Sequence, residues 1–186
     1  MTQRKSTGEH LTTLMQATSK FRGDKSLAAF VLSLTREFST RLAFITEKRV
    51  PQAHALAMAD REDLKQPVYY DHRQTPCRAV LDGEVVSVPC NVADIYPGHA
   101  GLQSYLGVPL FDTTGQVIGL VAVMDERPFE DVEGIKQVLV LLAPRIAAEL
   151  ECVRLTRSNT GAPAPQGVFT LRSPDALPPE PVERKA

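Results

Sequence analysis

Ser-Tyr-Leu-Gly-Val-Pro-Leu-Phe at residues 104–111 and Gln-Val-Ile-Gly-Leu-Val-Ala-Val-Met at residues 116–124 are the clearest pair of strands in this sequence of 186 residues. The four residues that join them, Asp112 to Gly115, are of the types that favour a tight turn. The pattern predicts an antiparallel hairpin. Its second segment is almost entirely apolar, which is typical of a central strand covered on both faces.

Short β segments and two short helices precede this hairpin. Four short segments predict strands: Arg41–Thr46, Gln52–Ala59, Pro67–Tyr70 and Glu84–Val88. A short helix is predicted at 75–82, with Thr75 as its N-cap and Pro76 at the first helical position. A further helical turn is expected at 91–96, with Asn91 as its cap.

Two amphipathic helices are predicted before the first strand. Apolar residues recur at helical spacing in Glu9–Phe21 and again in Leu27–Phe38. Ser6 and Glu9 have the spacing of a capping box ahead of the first helix. Gly23 separates the two helices, and Asp24 is the expected N-cap of the second.

A long closing helix is predicted from about Asp131 to Arg157, in which Pro144 should kink or divide the helix. Helices at both ends of a mostly antiparallel sheet predict an α+β domain of five or six strands. We expect a terminal helix at 1–23 that could serve dimerisation, the domain itself at 24–157, and a tail at 158–186. The tail is rich in proline and poor in large apolar residues, so we predict that it is disordered.

Composition argues against two classes of partner. The 21 basic and 22 acidic residues give a net charge of −1, so no overall positive field attracts nucleic acid. No apolar stretch has the length that a membrane-spanning helix needs, and the N-terminus lacks the apolar core of a secretory signal. Three widely spaced cysteines, an odd number, argue against a disulfide framework. We therefore expect a cytoplasmic protein of a reducing compartment.

Five motifs follow one another along the chain: Tyr70-Asp-His-Arg-Gln-Thr-Pro-Cys77, Tyr96-Pro97, Ser104-Tyr-Leu-Gly-Val-Pro-Leu110, Val117-Ile-Gly119 and Ala147-Ala-Glu-Leu150. Together they resemble the GAF domain, in the form often fused to bacterial histidine kinases and diguanylate cyclases. The resemblance covers about Ser26 to Val153. The sequence departs from this form at Gln74, where glycine is usual, and at Pro144, which interrupts a helix that is normally continuous.

The resemblance implies helices on one sheet face and, on the other, a pocket under the segments from Tyr70 to Leu102. GAF pockets bind varied small molecules or none, and these domains commonly form homodimers through their terminal helices. The resemblance thus implies a sensory protein that binds a small molecule and signals through a separate partner, since no output domain is recognisable in the chain. The alternative is a ligand-free interaction module. The identity of any ligand or cofactor does not follow from the sequence.

Polar side chains in the segments that would form the pocket are the candidate ligand-binding residues. They are Tyr70, Arg73, Cys77, Asn91, Asp94, Tyr96, His99, Gln103 and Tyr105. Their hydroxyls, amides and charges could orient a small molecule, and an arginine could pair with a phosphate. Gly107 and Gly119 lie in strands, where glycine often marks a close approach of the backbone.

Catalytic and metal-binding functions have weaker support. Cys77 at a helix start beside Arg78 raises the possibility of a reactive thiol, although a small buried side chain is the simpler interpretation. The GAF family includes the free methionine-R-sulfoxide reductase, whose reactive cysteine follows a Gly-His pair; this chain has Gly98-His99 followed by Leu102 at the thiol position. The histidines and cysteines lack the tight spacing of a zinc site. We therefore assign no catalytic or metal-binding residue and expect no enzymatic activity.

Overall fold

Two helices begin the fold in the computed structural model, which describes residues 5–160. The first helix, α1, spans Thr7–Thr18, and the second, α2, spans Asp24–Phe38. The predicted capping box is confirmed at α1, where Ser6 and Glu9 accept hydrogen bonds from each other's backbone N–H. The prediction that Asp24 caps α2 is wrong, because Gly23 is the N-cap with a φ of 60° and Asp24 is the first helical residue.

The sheet has seven antiparallel strands within residues 5–160. The strands are β1 (Leu42–Glu47), β2 (Ala53–Asp60), β3 (Asp63–Lys65), β4 (Val68–Tyr70), β5 (Val86–Val88), β6 (Ser104–Phe111) and β7 (Val117–Asp125). Their order is β3-β2-β1-β7-β6-β5, and β4 also pairs with β2. The hairpin of β6 and β7 is confirmed, and Oδ1 of Asp112 accepts backbone hydrogen bonds from Thr114 and Gln116 in its turn.

Some local predictions fail where a short element carries little pattern. Strand β3 was not predicted, because its three residues are polar or exposed and show no alternation. The next helix, α3, spans Cys77–Leu81 with Pro76 as N-cap, whereas the hydroxyl of Thr75 donates to the carbonyl of His72 and caps nothing. Asn91 is the N-cap of α4 (Val92–Ile95), but its side chain makes no capping hydrogen bond.

The long closing helix, α5, covers one face of the sheet together with α1 and α2. It spans Val132–Thr160 without a break, so the alternative that Pro144 divides it is wrong. Pro144 lies on the exposed side, where water can satisfy the carbonyl of Val140 that lacks a helical donor. Beyond Thr160, the predicted tail lies outside the described residues. Within the described part of the chain, no helix is both long and apolar enough to cross a membrane.

Two apolar clusters stabilise the sheet, one packed on each of its faces. The larger joins the three long helices to the sheet and includes Leu14, Phe30, Val121 and Ile146, each fully buried. The smaller lies on the opposite face and is covered by α3, α4 and a 3-10 turn at Pro97–His99. This arrangement confirms the predicted α+β fold with its helices on one face and short elements over the other.

Candidate ligand-binding site

Three of the predicted site residues converge inside the smaller apolar cluster. Tyr105 on β6 and Cys77 at the start of α3 are both buried, and the hydroxyl of Tyr105 donates to Cys77 Sγ at 3.5 Å. The hydroxyl of Tyr70, at the end of β4, lies 3.2 Å from Oγ1 of Thr46 on β1. Two phenols, a thiol and a threonine hydroxyl thus lie together among aliphatic and aromatic side chains.

Gly107 provides the room that Tyr105 occupies. Residues 105 and 107 are two apart on β6, so they point to the same face of the sheet. A Cβ at position 107 would lie 2.8 Å from Cζ of Tyr105 and 2.8 Å from Cγ2 of Val80. The phenol ring therefore lies across the position where any other residue would carry a side chain. The close backbone approach predicted at both strand glycines is found at Gly119, which faces the carbonyl of Thr46, whereas the neighbours of Gly107 are side chains.

Burial keeps the groups at this site uncharged. It raises the pKa of the Cys77 thiol, and hydrogen bonds with Tyr105 and Tyr70 oppose that rise only in part. Burial also raises the pKa of both Tyr70 and Tyr105 well above 10.0, and the neighbouring Cys77 adds to this effect. At neutral pH the cluster can therefore offer hydrogen bonds to a ligand but no charge.

The segment with α4 and the 3-10 turn covers the cluster. Val92 and Leu102 are buried beneath it, and the half-buried Tyr96 packs against the same cluster. His99 is 3% exposed, its ring lies edge-on to that of Tyr96 at 6.1 Å, and its Nδ1 has no hydrogen-bond partner among the described residues. Burial lowers the pKa of His99, so its imidazole is neutral at neutral pH. A buried ring nitrogen without a partner is a place where a bound molecule can add a hydrogen bond.

The other predicted site residues lie outside this buried group. Arg73 is exposed and its Nε contacts both carboxylate oxygens of Asp71, at 2.9 and 3.0 Å. Asn91 and Asp94 are exposed at α4. Gln103 is half-buried, and its backbone bonds to Val92 and Asp125 fix the end of the covering segment.

A cluster of charged residues around the buried Glu47 lies on the helix-covered face and was not predicted from the sequence. The carboxylate of Glu47 lies 2.8 Å from Nε of Arg49, 3.3 Å from Nε of Arg154 on α5 and 3.8 Å from Nδ1 of His54. His54 in turn stacks on Tyr69, with ring centroids 4.1 Å apart. Burial favours a higher pKa for Glu47, but the adjacent His54 and Arg49 outweigh it and the pKa is lowered. Tyr69 and Arg154 are distant from Glu47 in sequence, and the strand register together with the path of α5 brings them into this cluster.

Open clefts are found away from the tyrosine cluster. One of about 410 Å³ is lined by residues that include Glu37, Thr40 and Phe129. A second, of about 420 Å³, lies beside it at Arg61. A third, of about 440 Å³, is lined by residues that include Lys48 and Arg154. The sheet face under residues 70–102 is instead packed by its own side chains.

The three thiols differ in their exposure to solvent. Cys77 is buried, whereas Cys90 and Cys152 are exposed, and all three are free. Leu102, which stands where the sequence analysis expects a free methionine-R-sulfoxide reductase to have its reactive thiol, is 3% exposed and packs in the apolar cluster. Among residues 5–160, no group of three or more His, Cys, Asp or Glu side chains is arranged to hold a metal ion.

Comparison with known families gives one match that spans most of the chain. The sequence profile of the GAF domain matches residues 9–150. No curated protein sequence matches the chain.

Solved structures with the same fold include GAF domains of two phosphoenolpyruvate-protein phosphotransferases and of a cyanobacterial phytochrome. The GAF domain of a phosphoenolpyruvate-protein phosphotransferase from Acinetobacter is 16% identical, with a TM-score of 0.62 over 86% of this chain and 99% of that one. The corresponding domain from Coxiella burnetii is 14% identical, with a TM-score of 0.63 over 82% and 97%. A phycocyanobilin-bound GAF domain of a cyanobacterial phytochrome is 12% identical, with a TM-score of 0.62 over 83% and 98%. At these identities the likeness shows the fold alone.

Proposed function

This chain belongs to the GAF family of sensory and regulatory domains, and from that premise we propose that it is a sensor that binds a small molecule. The ligand would lie on the sheet face opposite the long helices, under the segment 91–103. Tyr70, Cys77, Tyr96, His99 and Tyr105 would line it. Arg73, Asn91, Asp94 and Gln103 would act at the outer edge of the site or in the movement of the segment that covers it.

The observation that carries this proposal is the set of polar groups inside an apolar cluster. The hydroxyl of Tyr105 has a sulfur atom as its partner, which is a weak acceptor, and Nδ1 of His99 has no partner among the described residues. Small-molecule sites combine apolar walls with a few such polar groups. A neutral molecule with hydrogen-bonding groups would satisfy them better than the side chains present. The phycocyanobilin-bound neighbour shows that a domain of this fold can bind a ligand.

Output in this proposal runs through the terminal helices to a separate protein in the cytoplasm. On α5 the large apolar residues Val140, Leu141 and Leu155 are between 43% and 63% exposed. With Pro144, Ala148 and Cys152 they form one exposed stripe at three- and four-residue steps, the spacing of a helix–helix contact. We propose that a second copy of the chain covers this stripe in a homodimer. The chain would act by regulating a partner and would not itself be an enzyme.

The dimer is tested by light scattering of the full chain and of the Leu141→Glu Leu155→Glu variant. The wild type should have the mass of two chains and the variant the mass of one. Val85→Glu, which alters an exposed apolar residue away from α5, is the matched control and should remain dimeric. A monomeric wild type would contradict the homodimer.

Ligand binding is tested by thermal unfolding after incubation with the deproteinised small molecules of a bacterial extract. The melting temperature of the wild type should rise, whereas that of Tyr96→Ala, which lacks a wall of the proposed site, should not. Leu64→Ala, exposed on β3, should respond like the wild type. Equal responses of all three proteins would contradict the assignment of this site. No response in any of them would contradict the proposal that the chain binds a small molecule.

The second candidate function is a ligand-free interaction module. The observation that favours it is the close packing of the same sheet face, where Tyr105, Val80 and Leu81 are between 0% and 1% exposed. In this case the extract would not shift the melting temperature, and the exposed surface of α5 or the tail would bind the partner. If the tail makes the contact, removal of residues 161–186 should weaken binding of the partner. Unchanged binding would mean that the tail does not make it.

A further inference from the structure

Tyr105 fills the centre of the sheet face on which the proposed ligand site lies. It is 0% exposed and is among the largest fully buried side chains of the described residues. Its ring packs in a cluster with Cys77, Val80 and Leu120. An aromatic ring therefore already occupies the deepest part of this face.

The space for that ring comes from glycine at position 107. Strand geometry places residues 105 and 107 on one face, and a Cβ at 107 would lie 2.8 Å from Cζ of the tyrosine. Val80 of α3, whose Cγ2 would also lie 2.8 Å from that Cβ, closes the space from above. Gly107 and Val80 thus shape a ring-sized compartment, and Tyr105 occupies it.

The tyrosine is held there mainly by packing. Among the described residues its hydroxyl donates to Cys77 Sγ at 3.5 Å, and sulfur accepts hydrogen bonds weakly. A phenol that served chiefly to anchor the fold would be expected to bond a stronger acceptor such as a carbonyl. The ring of Tyr105 therefore contributes more at this position than its hydroxyl does.

We propose that Tyr105 determines the specificity of the proposed ligand site by occupying the compartment that an aromatic ring of a ligand could otherwise enter. This inference rests on the proposed function. The native site then excludes a ligand ring from the space that the Tyr105 ring fills and leaves a ligand the hydroxyl of Tyr105 and the rim at Tyr70, Tyr96 and His99. Truncation of Tyr105 converts the compartment into a cavity that accepts a free aromatic ring.

Phenol is the probe, because it matches the side chain that is removed, and an apolar cavity of about 150 Å³ inside a protein is known to bind a benzene ring. Thermal unfolding of the full chain is measured with and without phenol. Tyr105→Ala should be stabilised by phenol, by about 5–10 °C at one hundred times its Kd. The wild type and Tyr105→Phe, which retains the ring, should show no such rise.

A matched control separates a specific cavity from general binding of phenol. Tyr69→Ala removes a half-buried tyrosine on the opposite face, and phenol should not stabilise it. Tyr105→Leu, which retains an apolar side chain, is the milder variant to use where Tyr105→Ala is unfolded; it should be stabilised in the same direction but less. Equal effects of phenol on Tyr105→Ala and on the wild type, or no effect on a folded Tyr105→Ala, would overturn the inference.

The outcome is distinguishable from that of the proposed function. If phenol stabilises Tyr105→Ala while the bacterial extract leaves the wild type unchanged, the compartment exists but the chain is not a small-molecule sensor. If the extract stabilises the wild type while phenol has no effect on Tyr105→Ala, the sensor stands and the role of Tyr105 is overturned.

Discussion

The carboxylate of Glu149 on α5 accepts a hydrogen bond from the backbone N–H of Gly23 at 2.6 Å. Gly23 is the N-cap of α2 and has no side chain to offer, so a buried acidic residue 126 positions away supplies the anion at that helix start. The other oxygen of Glu149 lies 2.7 Å from Arg145. One carboxylate therefore joins the closing helix to the junction of the two N-terminal helices.

Glu149→Ala should lower the free energy of unfolding by about 1–3 kcal/mol, because it leaves the partly buried N–H of Gly23 without its charged acceptor and Arg145 without its ion-pair partner. Urea denaturation measures the change. Glu151→Ala on the same helix is the control, since that side chain is only half-buried and has no ion pair within residues 5–160, and it should cost under about 0.5 kcal/mol. Similar losses in both variants would show that the link to Gly23 contributes nothing specific.

Gly107→Ala should lower the free energy of unfolding by about 1–3 kcal/mol, because the added methyl group meets both Tyr105 and Val80. Gly98→Ala provides the comparison, since no atom lies within 4 Å of a Cβ at that position, and its stability should match the wild type. Chemical denaturation of the two variants decides the matter. A Gly107→Ala protein as stable as Gly98→Ala would mean that Tyr105 does not lie across position 107.

Tyr70 and Tyr105 should ionise only above the ordinary range of tyrosine, since burial raises the pKa of each well above 10.0. A raised pKa in the folded state means that stability from these phenols is fully present below pH 10 and is lost as the pH rises through the folded values. Tyrosinate absorbance of the wild type should show a late component that the Tyr70→Phe Tyr105→Phe variant lacks. Ionisation of all four tyrosines in one step near pH 10, with the fold intact, would contradict the burial.

Cys77 should be inert to thiol reagents in the folded protein, because it is buried and burial raises its pKa. The native chain should therefore label at Cys90 and Cys152 with iodoacetamide, and all three cysteines should label in urea. The Cys90→Ser Cys152→Ser variant isolates the remaining thiol. Rapid native labelling of that variant would revive a redox role for Cys77.

Much of the fold could be predicted because its longest elements carry strong patterns. The hairpin of residues 104–125 combines two apolar runs with a turn of Asp, Thr and Gly, and the structure has β6 where the pattern places it. Strand β3 carries three polar or exposed residues and pairs only at the edge, so no periodicity marks it. The ion pair network of Glu47, His54 and Arg154 depends on strand register and on the path of α5, which no local pattern reveals.

The candidate site was predictable in its centre and less so in its role. Nine residues are predicted around one pocket, and the structure places three of them, Tyr70, Cys77 and Tyr105, in one apolar cluster. Polarity alone could not separate them from Arg73, which is exposed and paired with Asp71. Tyr105 can fill the space at Gly107 only because its side chain leans along the strand in that direction. The sequence does not give this direction.

Native mass spectrometry of the full chain, beside a denatured control, tests the central claim that this domain binds a small molecule at the tyrosine cluster. The protein is incubated with the deproteinised extract and freed of unbound molecules before measurement. The native wild type should show a mass excess that disappears on denaturation. Folded Tyr96→Ala should show no such excess. A wild type that carries only the mass of its polypeptide would contradict the claim.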